Sequence, residues 1–187
     1  MAATYSALFI DDQYLKDYTP MGQNIDPLTV YPFVEDAQDV YIQDLLGSPL
    51  YNDLTYQLYA GITYSTVDRT LVDLCSKALA YYTVYMALPH LAIKIRNVGV
   101  ARPTSENTIP STMEELKYIR EEMKNMGEFW AERVVRYLCE NRTSYPLYSA
   151  ASDDIYPANT QYDSDIYLDN YSLSNAEIEF LKKYYRQ

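Results

Sequence analysis

His90 is the only histidine among 187 residues, so any Ser–His or Cys–His nucleophile pair would have to use it. No Ser or Cys stands in a nucleophile-elbow pattern. His90 directly follows Pro89, where a helical pattern is expected to kink, and its other role is a buried or interfacial ring that satisfies a backbone group. Cys75 and Cys139 are the only cysteines. Each has apolar neighbours inside a helical pattern. Two lone cysteines at that distance build neither a disulfide framework nor a metal motif, so both are expected as buried free thiols. Asp163-Ser164-Asp165 followed by Asp169-Asn170 is rich in oxygen ligands. It lacks the central Gly and terminal Glu of a calcium loop, which leaves a weak cation contact or a solvated acidic face. Asp11-Asp12 and Glu121-Glu122 are adjacent pairs whose side chains point in different directions, so neither makes an acid/base pair. Five widely spread glycines give no phosphate-cradling loop. The expectation is a chain without catalytic residues, cofactor or metal site, and therefore not an enzyme.

Composition points the same way. Tyrosine is the unusual entry, with 22 residues against 4 Phe and 1 Trp. A Tyr ring buries a large area while its hydroxyl keeps a hydrogen-bonding tip, which suits half-wet protein interfaces as well as the rim of a core. The formal charge of −11 repels phosphates, so direct nucleic-acid binding is not expected. Residues 1–10 lack the basic start and long apolar core of a signal peptide. No apolar run approaches the length that spans a bilayer, so no membrane partner is expected.

The elements follow from periodicity and breakers. Pro20, Gly22, Pro27 and Pro32 mark residues 1–31 as an irregular arm. A first helix starts near Pro32 and ends at Gly47, with Phe33, Ala37, Val40 or Tyr41, and Leu45 on one face. Ser48-Pro49 restarts the chain, Ser48 as cap and Pro49 in the first turn, with Leu50, Leu54 and Leu58 marking a shorter helix that ends before Gly61. Ser65 or Thr66 opens a third helix that is apolar on most sides from Ala78 to Ile95, with a kink or break expected near Met86 to Pro89. Residues 97–110 read as a loop. Ser111-Thr112-Met113-Glu114 is a capping box. Beyond it Leu116, Ile119, Met123, Met126, Trp130, Val134, Tyr137 and Leu138 form one stripe of nearly thirty residues. This long helix should pack antiparallel against the third, because the connection is modest.

After Asn141 the character changes. Residues 143–171 hold no Lys or Arg, but they hold Asp153, Asp154, Asp163, Asp165 and Asp169. They also carry Tyr145, Tyr148, Tyr156, Tyr162, Tyr167 and Tyr171. Such a segment is too poor in aliphatic surface to fold alone and too aromatic for an inert linker. Two readings stand: an arm that orders on a partner subunit, or a mobile acidic tail. Ser174-Asn175-Ala176-Glu177 then caps a short helix with Ile178, Leu181 and Tyr185 on one face, marginal unless docked. The interface candidates are therefore Tyr145, Tyr148, Tyr156, Tyr162, Tyr167, Tyr171, Ile178, Leu181, Tyr184 and Tyr185. The expected fold is all-α: an antiparallel helical bundle over residues 32–142 with two long helices, flanked by the arm 1–31 and a C-terminal interaction arm 143–187.

The stretch from Pro32 to Leu54 carries an Ala-Gln-x-x-Tyr-Ile helix (Ala37, Gln38, Tyr41, Ile42), then Leu45-Leu46-Gly47, then Ser48-Pro49-Leu50-Tyr51. It resembles the opening of the helical head–tail connector, or adaptor, proteins of tailed bacteriophages, most of all those of crAss-like and related Bacteroidetes phages. The two long helices are similar to that family's, so the resemblance covers roughly residues 30–142. The extension after residue 143 departs from it. The resemblance assigns Phe33, Ala37, Tyr41, Leu45, Gly47, Pro49, Leu50 and Leu54 to a structural motif. It implies a virion subunit, assembled in the bacterial host cytoplasm, that forms a ring at the portal vertex. The ring is commonly twelvefold. Its implied partners are further copies of itself, the portal protein, and tail or neck proteins, with DNA passing through the axial channel. The alternative, from another class, is a soluble helical binding or regulatory module acting through its acidic Tyr-rich tail. A small enzyme using His90 or the acidic C-terminal cluster is the third.

Overall fold

The computed structural model describes residues 7–22, 25–92, 94–96, 99–101, 112–149 and 154–157. Two long helices, α5 (Thr66–Ala92) and α6 (Met113–Glu140), form its spine. The Tyr137 hydroxyl donates to the Val67 carbonyl (3.3 Å), Lys77 lies over Trp130, Tyr82 abuts Gly127, and Arg120 reaches the Tyr85 carbonyl. Numbers rise along α5 as they fall along α6, so the pair is antiparallel, as the short connection predicts. Gly127 leaves room on α6 for the Tyr82 ring. A Cβ there would lie 2.8 Å from the Tyr82 ring edge.

Pro89 does not break α5, which runs on to Ala92. A proline leaves the carbonyl four residues back without its helical donor. Here that carbonyl is Tyr85's, and Arg120 Nε of α6 donates to it at 3.4 Å. The missing bond is replaced across the helix pair, and α5 continues past Pro89 without a break. The expected loop at 97–110 also begins differently. Strands β1 (Lys94–Arg96) and β2 (Gly99–Ala101) pair antiparallel with Lys94 opposite Ala101. Apart from this ribbon the described fold is helical. The capping box at the start of α6 is shifted by one residue from Ser111–Glu114. Thr112 Oγ1 accepts from the Glu115 N–H (3.2 Å), and Glu115 Oε2 accepts from the Thr112 N–H (2.8 Å).

The first helical run starts earlier than Pro32. Asp26 accepts from the Leu28 N–H (3.0 Å), and Pro27 occupies the opening turn of α2 (Pro27–Ala37). Pro32 falls inside this helix. The run continues through a π-helical turn (Gln38–Ile42) into α3 (Gln43–Leu46) and stops at Gly47, whose φ is +73°. Phe33 stacks on His90 and Tyr41 on Tyr82, with ring centroids 5.0 and 4.0 Å apart, so α2 lies antiparallel along α5. α4 (Ser48–Tyr59) follows at once and ends before Gly61. The arm 1–31 is not irregular throughout. Asp11 accepts from the Tyr14 N–H (2.7 Å) and caps α1 (Asp12–Tyr18), whose Leu15 is fully buried. Pro20 and Pro27 flank the break between α1 and α2, while Pro32 lies within α2.

The boundary at residue 142 needs the largest correction. Short 3-10 turns, Arg142–Ser144 and Pro146–Ser149, carry Tyr145 and Tyr148 into the core at 3% and 2% exposure. Both are members of the same continuous cluster as Leu54, Leu71, Cys75 and Leu138. Residues 154–157 then close against the α3–α4 junction. The Ser48 N–H donates to the Ile155 carbonyl (2.9 Å), and Pro157 packs on Gly47.

Candidate protein interface

The π-turn organises one side of the bundle. A π-turn inserts one extra residue into a helix and rotates its side chain out of the ordinary helical register. Gln38, at its start, is buried at 1% exposure. Its Nε2 donates to the Ala7 carbonyl (2.9 Å) and to the Tyr51 hydroxyl (3.1 Å), while its Oε1 accepts from the Phe9 N–H (2.8 Å). Tyr51 in turn donates to Asp39 Oδ1 at 2.7 Å. Burial pushes the Tyr51 hydroxyl well above the usual tyrosine range, so it stays protonated and can donate. A single amide thus ties the N-terminal segment, the π-turn and α4 together.

Ser48 does the same for the C-terminal segment. It was expected as a helix cap, but Gly47 precedes α4 as its cap residue and the Ser48 hydroxyl turns elsewhere. It donates to Asp154 Oδ2 (2.6 Å) and accepts from Gln43 Nε2 (3.0 Å) and the Ile155 N–H (3.3 Å). The Asp154 carboxylate therefore sits at the positive end of α4, where the helix dipole favours it. Of the motif residues, Ala37, Gly47, Leu50 and Leu54 are buried, and Phe33, Tyr41, Leu45 and Pro49 are half-buried. They pack this same side.

Tyr145 and Tyr148 were expected to face a partner subunit. Both are instead consumed by the chain's own core, because Tyr137, the α4 side and the 3-10 turns enclose them. Desolvation raises the Tyr148 hydroxyl to about 12. The Tyr145 hydroxyl is buried without a hydrogen-bond partner among the described residues. Tyr156 remains half exposed. Tyr162, Tyr167, Tyr171, Ile178, Leu181, Tyr184 and Tyr185 lie outside the described residues.

The opposite condition holds on α6 and at the end of α4. Tyr118 and Phe129 are 72% and 49% exposed. Eleven residues are three helical turns, so the two rings share one stripe directed away from the buried Met123 and Val134. Tyr56 and Tyr59, three residues apart on α4, are more exposed than buried, as is Ile62 just beyond. Patterning could have flagged these positions, since each falls off the apolar stripe of its helix, but their exposure was not anticipated. Trp130, half-buried beside Phe129, lies under two cations: Lys77 Nζ is 4.6 Å and Arg133 Cζ 5.2 Å from its ring centroid.

His90 is exposed and stacks on Phe33. A groove of about 170 Å³ lies between the end of α5 and the start of α6, lined by Leu88, Pro89, Ala92, Met113, Leu116, Lys117 and Arg120. Its polar lining is Lys117 and Arg120, with no carboxylate. Cys75 is fully buried and its thiol is pushed up by desolvation, whereas Cys139 is only half-buried. Among the described residues no three His, Cys, Asp or Glu side chains converge as metal ligands, and no helix is long and apolar enough to cross a membrane.

A family model described as a family of unknown function (DUF6712) matches residues 42–156. The chain belongs to this family. The matched stretch covers the run from the π-turn through α6, and it extends past residue 142 to the segment that closes on Ser48. No curated protein and no solved structure matches the chain.

Proposed function

We propose that this chain is a structural subunit that works by assembling with other protein chains, as a ring at the portal vertex of a tailed phage. In that reading it joins the head to the tail, contacts the portal on one side and tail or neck proteins on the other, and leaves a channel for DNA. The observation that carries it is the set of aromatic side chains left in solvent: Tyr56, Tyr59, Tyr118 and Phe129. Exposed rings on helices whose other faces are already packed are the composition of interface cores. The motif from Ala37 to Leu54 supports the same reading, since its residues hold the bundle together rather than address a ligand. A net charge of −11 suits a channel that DNA slides through without being held. The neighbouring copies are the implied partners, commonly twelve to a ring.

The test is the mass of the purified full-length chain across a concentration series, together with electron microscopy of particles carrying a labelled copy. A closed ring, and label at a single vertex, is the expected result. A chain that stays monomeric at every concentration and never enters particles sinks the proposal and favours a binding module instead.

A further inference from the structure

The chain has 26 acidic and 15 basic residues, so a cation should find a carboxylate easily. Lys16, Lys124 and Arg136 do, pairing with Asp12, Glu128 and Glu140 one helical turn away. Lys77 and Arg133, like Arg69, Lys117 and Arg120, do not, and these two are set apart by the rings they lie over. Among the described residues neither has a carboxylate within ion-pairing distance. Arg133 cannot make a helical pair, because the residues four before and after it are Phe129 and Tyr137. Lys77 has Asp73 four residues back, yet its Nζ lies over the Trp130 ring instead. Arg133 covers both Trp130 and Phe129, at 5.2 and 5.5 Å. Two cations are thus held on one aromatic platform with their N–H donors left for another molecule. Trp and Arg side by side are the residue types that dominate binding energy at protein interfaces.

What fits such a platform is a segment rich in carboxylates and rings and free of competing cations. Residues 158–173 of this chain have that composition: Asp163, Asp165 and Asp169 alternate with Tyr162, Tyr167 and Tyr171, without Lys or Arg. Geometry says whose segment it is. On α5, Tyr82 meets Tyr41 of the π-turn and His90 meets Phe33 of α2, and at 3.6 residues per turn they stand about 140° and 220° around the helix from Lys77. The α2 side is therefore opposite the platform. The last of the described residues lie on that α2–α3 side, where Pro157 packs on Gly47. A donor segment leaving one side and an acceptor on the other make a head-to-tail contact, the kind that closes rings.

We propose that residues 158–173 of one copy lie across the Lys77–Trp130–Arg133 platform of the next copy. This rests on the reading of the chain as an assembling subunit and supplies the contact between its copies.

Trp130 is the only tryptophan, so its fluorescence reports the platform alone. In the full-length assembled protein, acrylamide should quench Trp130 poorly. D163K/D165K/D169K should make it accessible, and K77E/R133E should raise the concentration for half-assembly by about tenfold or more. Combining all five changes swaps the charges and should restore assembly, an outcome that misfolding cannot produce. Mixing the two defective variants should re-shield Trp130 of the D163K/D165K/D169K chain, because the other variant still donates an intact segment. Equal quenching of the original protein and D163K/D165K/D169K, or a charge swap that restores nothing, overturns the inference. Shielding that persists in diluted monomers also overturns it, since the segment would then cover its own chain. Rings that form while quenching stays unchanged defeat this contact and leave the proposed function standing; a chain that never assembles and is never shielded defeats both.

Discussion

The α2–α4 side of the bundle and the outer face of α6 handle their side chains in opposite ways. On the first, Gln38 and Ser48 are buried, and each is bonded to several partners across long stretches of sequence. On the second, Tyr118 and Phe129 stand in solvent, and Lys77 and Arg133 rest on rings instead of carboxylates. The first side is complete within one chain, and breaking it should cost stability. The second is incomplete, and altering it should cost association. Substitutions on the two sides should therefore separate in urea unfolding and in sedimentation.

The largest loss is expected where the C-terminal segment joins the core. Tyr148→Ala should lower the unfolding free energy by about 3–5 kcal/mol, the usual effect of truncating a buried aromatic ring. A loss under about 1 kcal/mol would return residues 143–157 to the status of an appended arm. Gln38→Leu comes next. It strands the Phe9 N–H and removes the donors to the Ala7 carbonyl and Tyr51, so about 2–3 kcal/mol should be lost. Protease cleavage within the first ten residues should accelerate in parallel. Intact resistance there would mean that the amide does not hold the N-terminal segment. Gly47→Ala should cost about 1–3 kcal/mol for its backbone alone, since φ +73° with ψ 150° is a region that essentially only glycine adopts. The new Cβ would also lie 2.6 Å from the Pro157 ring, so residues 154–157 should be displaced. A neutral result would mean that the junction relaxes freely.

Much of the helical frame was legible because helix ends are signalled locally. The Ser48-Pro49 restart, the stops at Gly47 and Gly61, and the stripe from Met123 to Leu138 each depend on neighbours within a few residues. The start of α2 was misplaced because Pro27 and Pro32 carry the same signal, and only the Asp26 cap distinguishes them. The continuation of α5 through Pro89 was hidden for another reason. Its missing bond is replaced by Arg120, thirty-five residues away. The closure of residues 143–157 was the least legible part. Ser48 and Asp154 are 106 residues apart, and the turns around Tyr145 and Tyr148 have no period to read. Acidity and prolines made that segment look detached, although two of its rings fill the core. At the interface, composition pointed to tyrosines in the C-terminal segment. The most exposed ones in the described residues, Tyr56, Tyr59 and Tyr118, lie on α4 and α6.

Tyr145 tests the closed side in the opposite sense. Its ring is buried, but among the described residues its hydroxyl makes no well-formed hydrogen bond and has only the Tyr137 hydroxyl beside it, so desolvation is poorly compensated. Tyr145→Phe keeps the ring and removes that hydroxyl, and it should stabilise the protein by about 1 kcal/mol. Destabilisation would reveal a bond that the hydroxyl makes, and the closed side would then contain no flaw.

Phe129→Ser should change stability least, by under about 0.5 kcal/mol, because half of the ring already faces water and the buried positions of α6 are Met123, Gly127, Val134, Val135 and Leu138. Its effect should appear in association instead. The ring supports Arg133, and without it the guanidinium loses one of the two surfaces that hold it in place. Weaker assembly at unchanged unfolding free energy is the expected pair of results. A variant that assembles normally would show that α6 presents its outer face to solvent alone. A variant that unfolds early would show that Phe129 belongs to the core after all. Either outcome would erase the distinction between the two sides, since that distinction requires stability and association to respond to different residues.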